Sequence, residues 1–277
     1  MTDPQSSRVS TDRGPVRHGF TDLAAVWRAR AAADAGRPFL TFLDDGTGER
    51  VELSYTTFGN WLAKTANLVQ DDLMAGPGDR ISVCAPPHWL TAVWMVAPLL
   101  AGSVVEPWGE AKSAHTVIAG PDAEVLGAAR DCPGERLALS LLPLGRPFDV
   151  VPDGFRDYSA EVRGFGDRFT PFTPSAPGME ALVVDATTLT HGELIERAAF
   201  AASAVKEEPD GPSVGLGSAD RLLVDARGDR FTGSDVISWL FAPLIVGAGV
   251  VIVRAAAADR LDRIAETERV THRLTVG

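Results

Sequence analysis

Cysteine is scarce in this chain: Cys84 and Cys132 are the only two in 277 residues. Neither belongs to a CxxC pair or lies beside a pair of histidines, so the spacing indicates no metal site and no disulfide framework. Cys84 ends an apolar run and reads as a small buried hydrophobe. Basic charge is also short, with 26 Lys and Arg against 37 Asp and Glu and a formal net charge of −11. Such a surface makes neither nucleic acid nor an anionic membrane a default partner. Arginine far outnumbers lysine while alanine and glycine abound, a pattern read as coding bias of a GC-rich genome. Long apolar runs are missing as well. The stretches at 90–102 and 236–253 are interrupted by Pro98, Pro243 and glycines, and read as core helix plus strand, not as membrane spans. Residues 1–15 lack the apolar centre of a secretory signal, so a cytoplasmic protein is expected. Catalytic signatures are absent too. There is no GxSxG elbow, and Gly215-Leu216-Gly217 precedes a strand-like run instead of following one, which is the wrong context for a dinucleotide loop. His18, His88, His115 and His272 have no partners at useful spacing.

What is present is the composition of a folded chain, 45% hydrophobic and 23% charged. Residues 1–18 read as a disordered tail, and 19–277 as one large α/β domain with room for a subdomain division near 180. Leu23, Val26, Trp27 and Ala31 form one helical stripe. Two strand-like runs at 38–43 and 49–54 flank Asp44-Asp45-Gly46-Thr47-Gly48, a hairpin signal. Phe58, Trp61, Leu62, Thr65, Leu68, Val69 and Leu73 predict an amphipathic helix over 56–74, stopped by Gly76-Pro77-Gly78. A strand at 81–85, a helix at 89–101 and a strand at 103–107 complete a β-α-β unit, which favours a parallel sheet. Weaker units follow at 116–141. Residues 145–178 show no periodicity and read either as a long ordered loop or as a small irregular β section. Strand and helix then alternate at 181–184, 190–205, 221–225, 234–246, 249–254, 259–269 and 271–276. Trp89, Trp94 and Trp108 read as core residues.

Several of these pieces, taken in order, resemble the adenylate-forming enzymes. Leu53-Ser54-Tyr55-Thr56-Thr57-Phe58 with Gly76-Pro77-Gly78-Asp79-Arg80-Ile81 is similar to that family's LTYxEL and GxGDRV signatures. Leu100-Ala101-Gly102 and Val105-Glu106-Pro107 resemble its KAG turn and VPL strand, and Leu189-Thr190-His191 its THxxL helix start. The stretches 239–253 and 265–277 look like its APLLAGAxVVL and IERxRVT segments. A short actinobacterial group with distant likeness to AMP-binding enzymes is similar as well. The resemblance implies an α/β fold: a layered parallel-sheet core like that family's N-terminal domain, without the small C-terminal domain. It also implies the chemistry of ATP-dependent carboxylate activation.

The resemblance fails where that chemistry resides. Between the strand at 181–184 and the helix start, the family's Gly/Ser/Thr-rich loop and its lysine are reduced to Asp185, Ala186, Thr187, Thr188 and Leu189. That loop works through backbone N–H groups, hydroxyls and one cation around the departing pyrophosphate. Losing a single preorganised donor from such a site costs on the order of 100- to 1000-fold in rate. The family's FHxxG stretch corresponds to Asp229-Arg230-Phe231-Thr232-Gly233, where no histidine stands. Its adenine loop and C-terminal lysine have no counterpart in the sequence. No catalytic residue carries over, and no metal ligand is expected.

The resemblance leaves Thr187, Thr188 and His191 as remnants of a cofactor-binding loop that could meet the phosphates of ATP or AMP. Thr190 and Glu193 have capping-box spacing, so His191 also reads as plain helix-start architecture. Asp185 lies at a strand's carboxyl end, where α/β proteins bind ligands, but its charge opposes phosphate and suits a metal or amine better. The expected function is a non-catalytic homologue acting as a binding or interaction module, with no resident cofactor and with a protein partner or a homo-oligomer in prospect. The alternatives are half of a split AMP-forming ligase completed by another chain, or a nucleotide or acyl-adenylate sensor.

Overall fold

The computed structural model describes residues 19–205 and 213–277, so the expected tail at 1–18 lies outside the described residues. Helix α1 (Leu23–Ala33) starts at Asp22, whose carboxylate accepts the Ala25 N–H. The antiparallel strands β1 (Pro38–Asp44) and β2 (Glu49–Ser54) follow, joined by the Asp-Gly turn. Helix α2 (Tyr55–Asn67) is capped by Ser54 and ends in a widened π turn at Leu68–Asp72. Strand β3 (Arg80–Cys84), helix α3 (Trp89–Ala101) and strand β4 (Val104–Pro107) form the expected β-α-β unit. Gly102 holds φ at +91° past the end of α3, a conformation glycine adopts without steric cost.

Strand β5 (Thr116–Ala119), helix α4 (Ala123–Ala129) and strand β6 (Glu135–Ala138) come next. The unpatterned stretch 145–178 holds a two-residue strand β7 (Arg156–Asp157) and a single-turn helix α5 (Tyr158–Glu161), with the rest irregular but for one 3-10 turn. After it come β8 (Glu180–Val184), β9 (Thr187–Thr190) and helix α6 (His191–Ala204). Strand β10 (Arg221–Ala226) leads to helix α7 (Gly233–Val236), a second π turn at Ile237–Phe241 and helix α8 (Ala242–Val246). Strand β11 (Gly249–Arg254), helix α9 (Ala258–Thr267) and strand β12 (His272–Val276) close the described chain.

These strands make two sheets. One has five strands in the order β12-β10-β11-β1-β2, the other seven in the order β7-β6-β5-β3-β4-β8-β9. Pairing is parallel except at β1/β2 and β8/β9, each of which puts an antiparallel strand on an edge. The chain enters the five-stranded sheet first, builds the seven-stranded one through β9, and returns to the first at β10.

Side-chain alternation assigns the layers. Ile81, Val83 and Ile118 share one core with Leu222, Val224, Val250 and Ile252 of the other sheet, so the two inner faces enclose a common helical layer. Helix α3 is buried along its whole length, as a helix that is hydrophobic all round must be. The alternate residues face outward. Val117 and Ala119 pack with Ala129 and Cys132 beneath α4, while Val251 and Val253 pack with Leu261 and Ile264 beneath α9. The result is five alternating layers, helix–sheet–helix–sheet–helix, in which the central strands β3, β5, β10 and β11 bury both faces as parallel strands do.

Candidate functional site

The first correction to the sequence reading falls at the expected remnant of the phosphate loop. Residues 185–189 are not a loop. Val184 pairs with Thr187, and β8 and β9 form a hairpin with Asp185 and Ala186 as its two turn residues. Their φ angles are +48° and +64°, the pattern of the turn whose twist matches two antiparallel strands. Alanine in this left-handed region costs roughly 1–2 kcal/mol, so the hairpin closes at some expense. The three threonines of β9, β-branched and at home in strands, were the signal that a strand and not a loop stands here.

The three remnant residues are therefore dispersed. Thr187 is exposed beside the turn. The Thr188 hydroxyl accepts a hydrogen bond from Arg80 Nη2 at 3.2 Å, and Arg80 Nη1 is 3.4 Å from Glu106 Oε2. His191 lies past the far end of the strand and is fully buried. Its Nδ1 accepts the Leu23 N–H at 3.5 Å, tying α6 to the start of α1, and its Nε2 meets no protein partner. Burial pushes the imidazole's pKa down, against the opposing charge of Asp22.

The N-terminus of α6 spends its own donors. The His191 N–H donates to the Met179 carbonyl at 2.9 Å, the Gly192 N–H to the Pro177 carbonyl at 2.9 Å, and the Glu193 N–H to the Thr190 hydroxyl at 3.3 Å. Glu193 in turn accepts from the Thr190 N–H and hydroxyl at 2.8 and 2.9 Å, contacts that hold its carboxyl below the usual range. Helix ends attract anions through free N–H groups and dipole. Here the protein supplies both the acceptors and the anion.

Helix α7 repeats the device. The Thr232 hydroxyl accepts the Asp235 N–H at 3.1 Å, and Asp235 accepts from the Thr232 N–H and hydroxyl at 2.7 and 2.8 Å. The Ser234 hydroxyl reaches Asp185 at 3.4 Å and links this helix to the hairpin turn. Gly233 makes that approach possible, since a Cβ there would lie 2.5 Å from the Val183 carbonyl oxygen. Asp185, Glu193 and Asp235 thus put a carboxylate at the turn and at both helix starts.

Behind these capped ends lies a groove of about 900 Å³, near the upper end of the range in which small-molecule and peptide sites occur. Phe200 and Ala201 of α6, with Val205 just past its end, form one wall, Ile237 and Ser238 of the π turn another, and Leu274 of β12 the third. The groove opens along β12 at the edge of the five-stranded sheet. Sequence reasoning missed it. Phe200 falls on the exposed side of a regular helix, and no local pattern distinguishes it from a surface residue. A second cavity of about 240 Å³ beside Trp27, Arg28 and Phe169 is smaller than such sites usually are.

Elsewhere the candidates weighed from sequence are structural. Trp89 and Trp94 are buried, whereas Trp108 is half-buried beneath the Arg230 guanidinium, 4.7 Å from its ring centre. Among the described residues no group of three or more His, Cys, Asp or Glu could hold a metal ion, and no helix is long and apolar enough to cross a membrane.

The five-layer, two-sheet core defines the class: it is the fold of the N-terminal part of adenylate-forming enzymes. Among solved structures, a Mycobacterium tuberculosis fatty acyl CoA synthetase superposes with a TM-score of 0.64 and 15% identity, covering 90% of this chain and 48% of that one. The chain therefore spans about half the length of that enzyme. No family model matches the sequence. A curated protein of Mycobacterium tuberculosis (strain ATCC 25618 / H37Rv), described as a TIGR03089 family protein, is 36% identical over 247 residues, 86% of this chain and 92% of that one. The chain belongs to the TIGR03089 family.

Proposed function

We propose that this chain is a non-catalytic relative of adenylate-forming enzymes, an interaction module that keeps the layered core and has closed the phosphate site. The observation that carries this reading is the hairpin turn between β8 and β9, together with the two self-capped helix starts beside it. A triphosphate approaching them meets three carboxylates and donors already engaged. Thr187, Thr188 and His191 supply no shared cradle, since one is exposed, one is bound by Arg80 and one is buried under α1. The groove between α6, the second π turn and β12 is the surface left for binding.

The test is pyrophosphate exchange into ATP, and AMP formation, by the purified chain with Mg-ATP and carboxylates from acetate to long-chain fatty acids. The reading expects no rate above the protein-free blank. Carboxylate-dependent exchange would refute it.

The chain's match to about half of a fatty acyl CoA synthetase favours one second reading, the half of a ligase completed by another polypeptide. In that case exchange appears only when a second purified chain is added. The hairpin argues against it, because a partner docking from outside does not rebuild the turn that joins two of this chain's own strands.

A further inference from the structure

The five-stranded sheet ends on β12, and that edge differs from the other three. Edge strands present unpaired backbone groups, and proteins blunt them with charge, brevity or cover. Strand β2 carries Arg50 and Glu52, paired to each other, with Arg50 also bound to Glu268. Strand β7 is two residues long. Strand β9 is four residues long and its Thr188 is held by Arg80. Strand β12 has five residues, carries Arg273 as its one ion-paired charge, and among the described residues is bonded on one side only, to β10.

Arg273, Leu274 and Thr275 all line the groove. Successive side chains point to opposite faces of a strand, so a cavity bordered by three in a row runs along the hydrogen-bonding edge of β12 and not across one face. The groove therefore offers the room of one added strand. Building on the interaction-module reading, we infer that its occupant is β12 of a second copy of this chain, paired antiparallel about a two-fold axis at Leu274.

The sequence of the strand is self-complementary in that register. His272, Leu274 and Val276 share the face that packs toward the inner helical layer, where Val276 belongs to the core and Leu274 abuts it. Arg273 and Thr275 share the exposed face beside α9, where Arg273 binds Asp262. Pairing about Leu274 sets Leu274 against its copy and His272 against Val276. On the other face each Arg273 stands opposite Thr275 and never opposite Arg273, so the like-charge contact that destabilises strand pairs is avoided. A two-fold contact of this kind uses the same patch on both partners and closes after two copies. The two five-stranded sheets become one of ten, with Phe200 of each α6 and the Val205 that follows it flanking the seam.

Sedimentation and cysteine trapping test this together. The native chain is expected to sediment at twice its mass, and Leu274→Lys at its single mass with an unchanged circular dichroism spectrum. Directly opposed residues in antiparallel strands have Cα atoms about 4.5–5.5 Å apart, within the roughly 4.4–6.8 Å that a disulfide spans. Mild oxidation should therefore cross-link Leu274→Cys to itself and leave Arg273→Cys largely uncross-linked, with the native chain, which keeps Cys84 and Cys132, as the blank. A native chain that sediments as a monomer at high micromolar concentration would overturn the inference. So would equal cross-linking at 273 and 274, or a dimer that survives Leu274→Lys. None of these outcomes bears on nucleotide chemistry, so the dimer and the non-catalytic reading fail separately.

Discussion

The hairpin end of the seven-stranded sheet and the β12 edge of the five-stranded sheet lie on either side of α6, and they treat their polar groups in opposite ways. At the hairpin end the donors that would meet a ligand are consumed: the first three N–H groups of α6 go to Met179, Pro177 and Thr190, and Glu193 and Asp235 occupy the helix starts. At the other edge β12 is bonded on one side only among the described residues and borders an apolar groove. Unspent hydrogen-bonding capacity, not the fold around it, marks where a surface can still bind. By that measure the hairpin end of this chain is shut and its sheet edge is open.

The comparison can be broken most severely at the joint between the two regions. Gly233→Ala places a Cβ about where the Val183 carbonyl oxygen lies 2.5 Å away, forcing α7 off β8. A loss of about 2–3 kcal/mol is expected, read as a fall in the denaturant midpoint, along with weaker self-association because Ile237 and Ser238 shift with α7. Unchanged stability would mean that the hairpin and the groove are not coupled through this contact.

Two substitutions of about 1 kcal/mol then sharpen the picture of the shut end. Ala186→Gly relieves a residue held at φ +64° and should raise stability by about 1 kcal/mol, since glycine adopts that conformation freely. Thr190→Ala removes the hydroxyl that caps α6 and should cost about 1 kcal/mol. Neither variant should gain ATP exchange, because the Met179 and Pro177 carbonyls still engage the first two N–H groups.

The smallest effect concerns pH. Burial pushes His191 and His88 below the ordinary imidazole range, with Asp22 and Glu49 opposing the shift. The unfolded chain, with histidines near pH 6.5, then binds protons that the folded chain refuses. Stability is full above about pH 6.5 and declines as pH falls toward the folded-state values. Denaturant titrations across that interval should show this slope, and His191→Gln should flatten it.

Most of the fold was legible because its signals are local and strong. Phe58 through Leu73 mark α2 by helical period, and the continuous apolar run at 249–254 marks β11. The likeness to adenylate-forming enzymes in 53–81 and 239–253 agreed with the layers found. The π turns at Leu68–Asp72 and Ile237–Phe241 were not legible, since one extra residue in a turn barely alters the period. The β8–β9 hairpin was missed because Asp185-Ala186 lacks the glycine that announces such turns, leaving only the strand preference of three threonines. The groove was missed for a different reason. Phe200, Ile237 and Leu274 come from three separate elements, and only the packing of α6 against the second π turn and β12 brings them together.

The central claim is that the phosphate site is closed by the protein's own groups. Calorimetric titration of Mg-ATP into the folded chain tests it most directly. The account predicts no binding heat at any accessible concentration. A saturable exotherm with micromolar affinity, abolished by a charge added at Thr188, would contradict it.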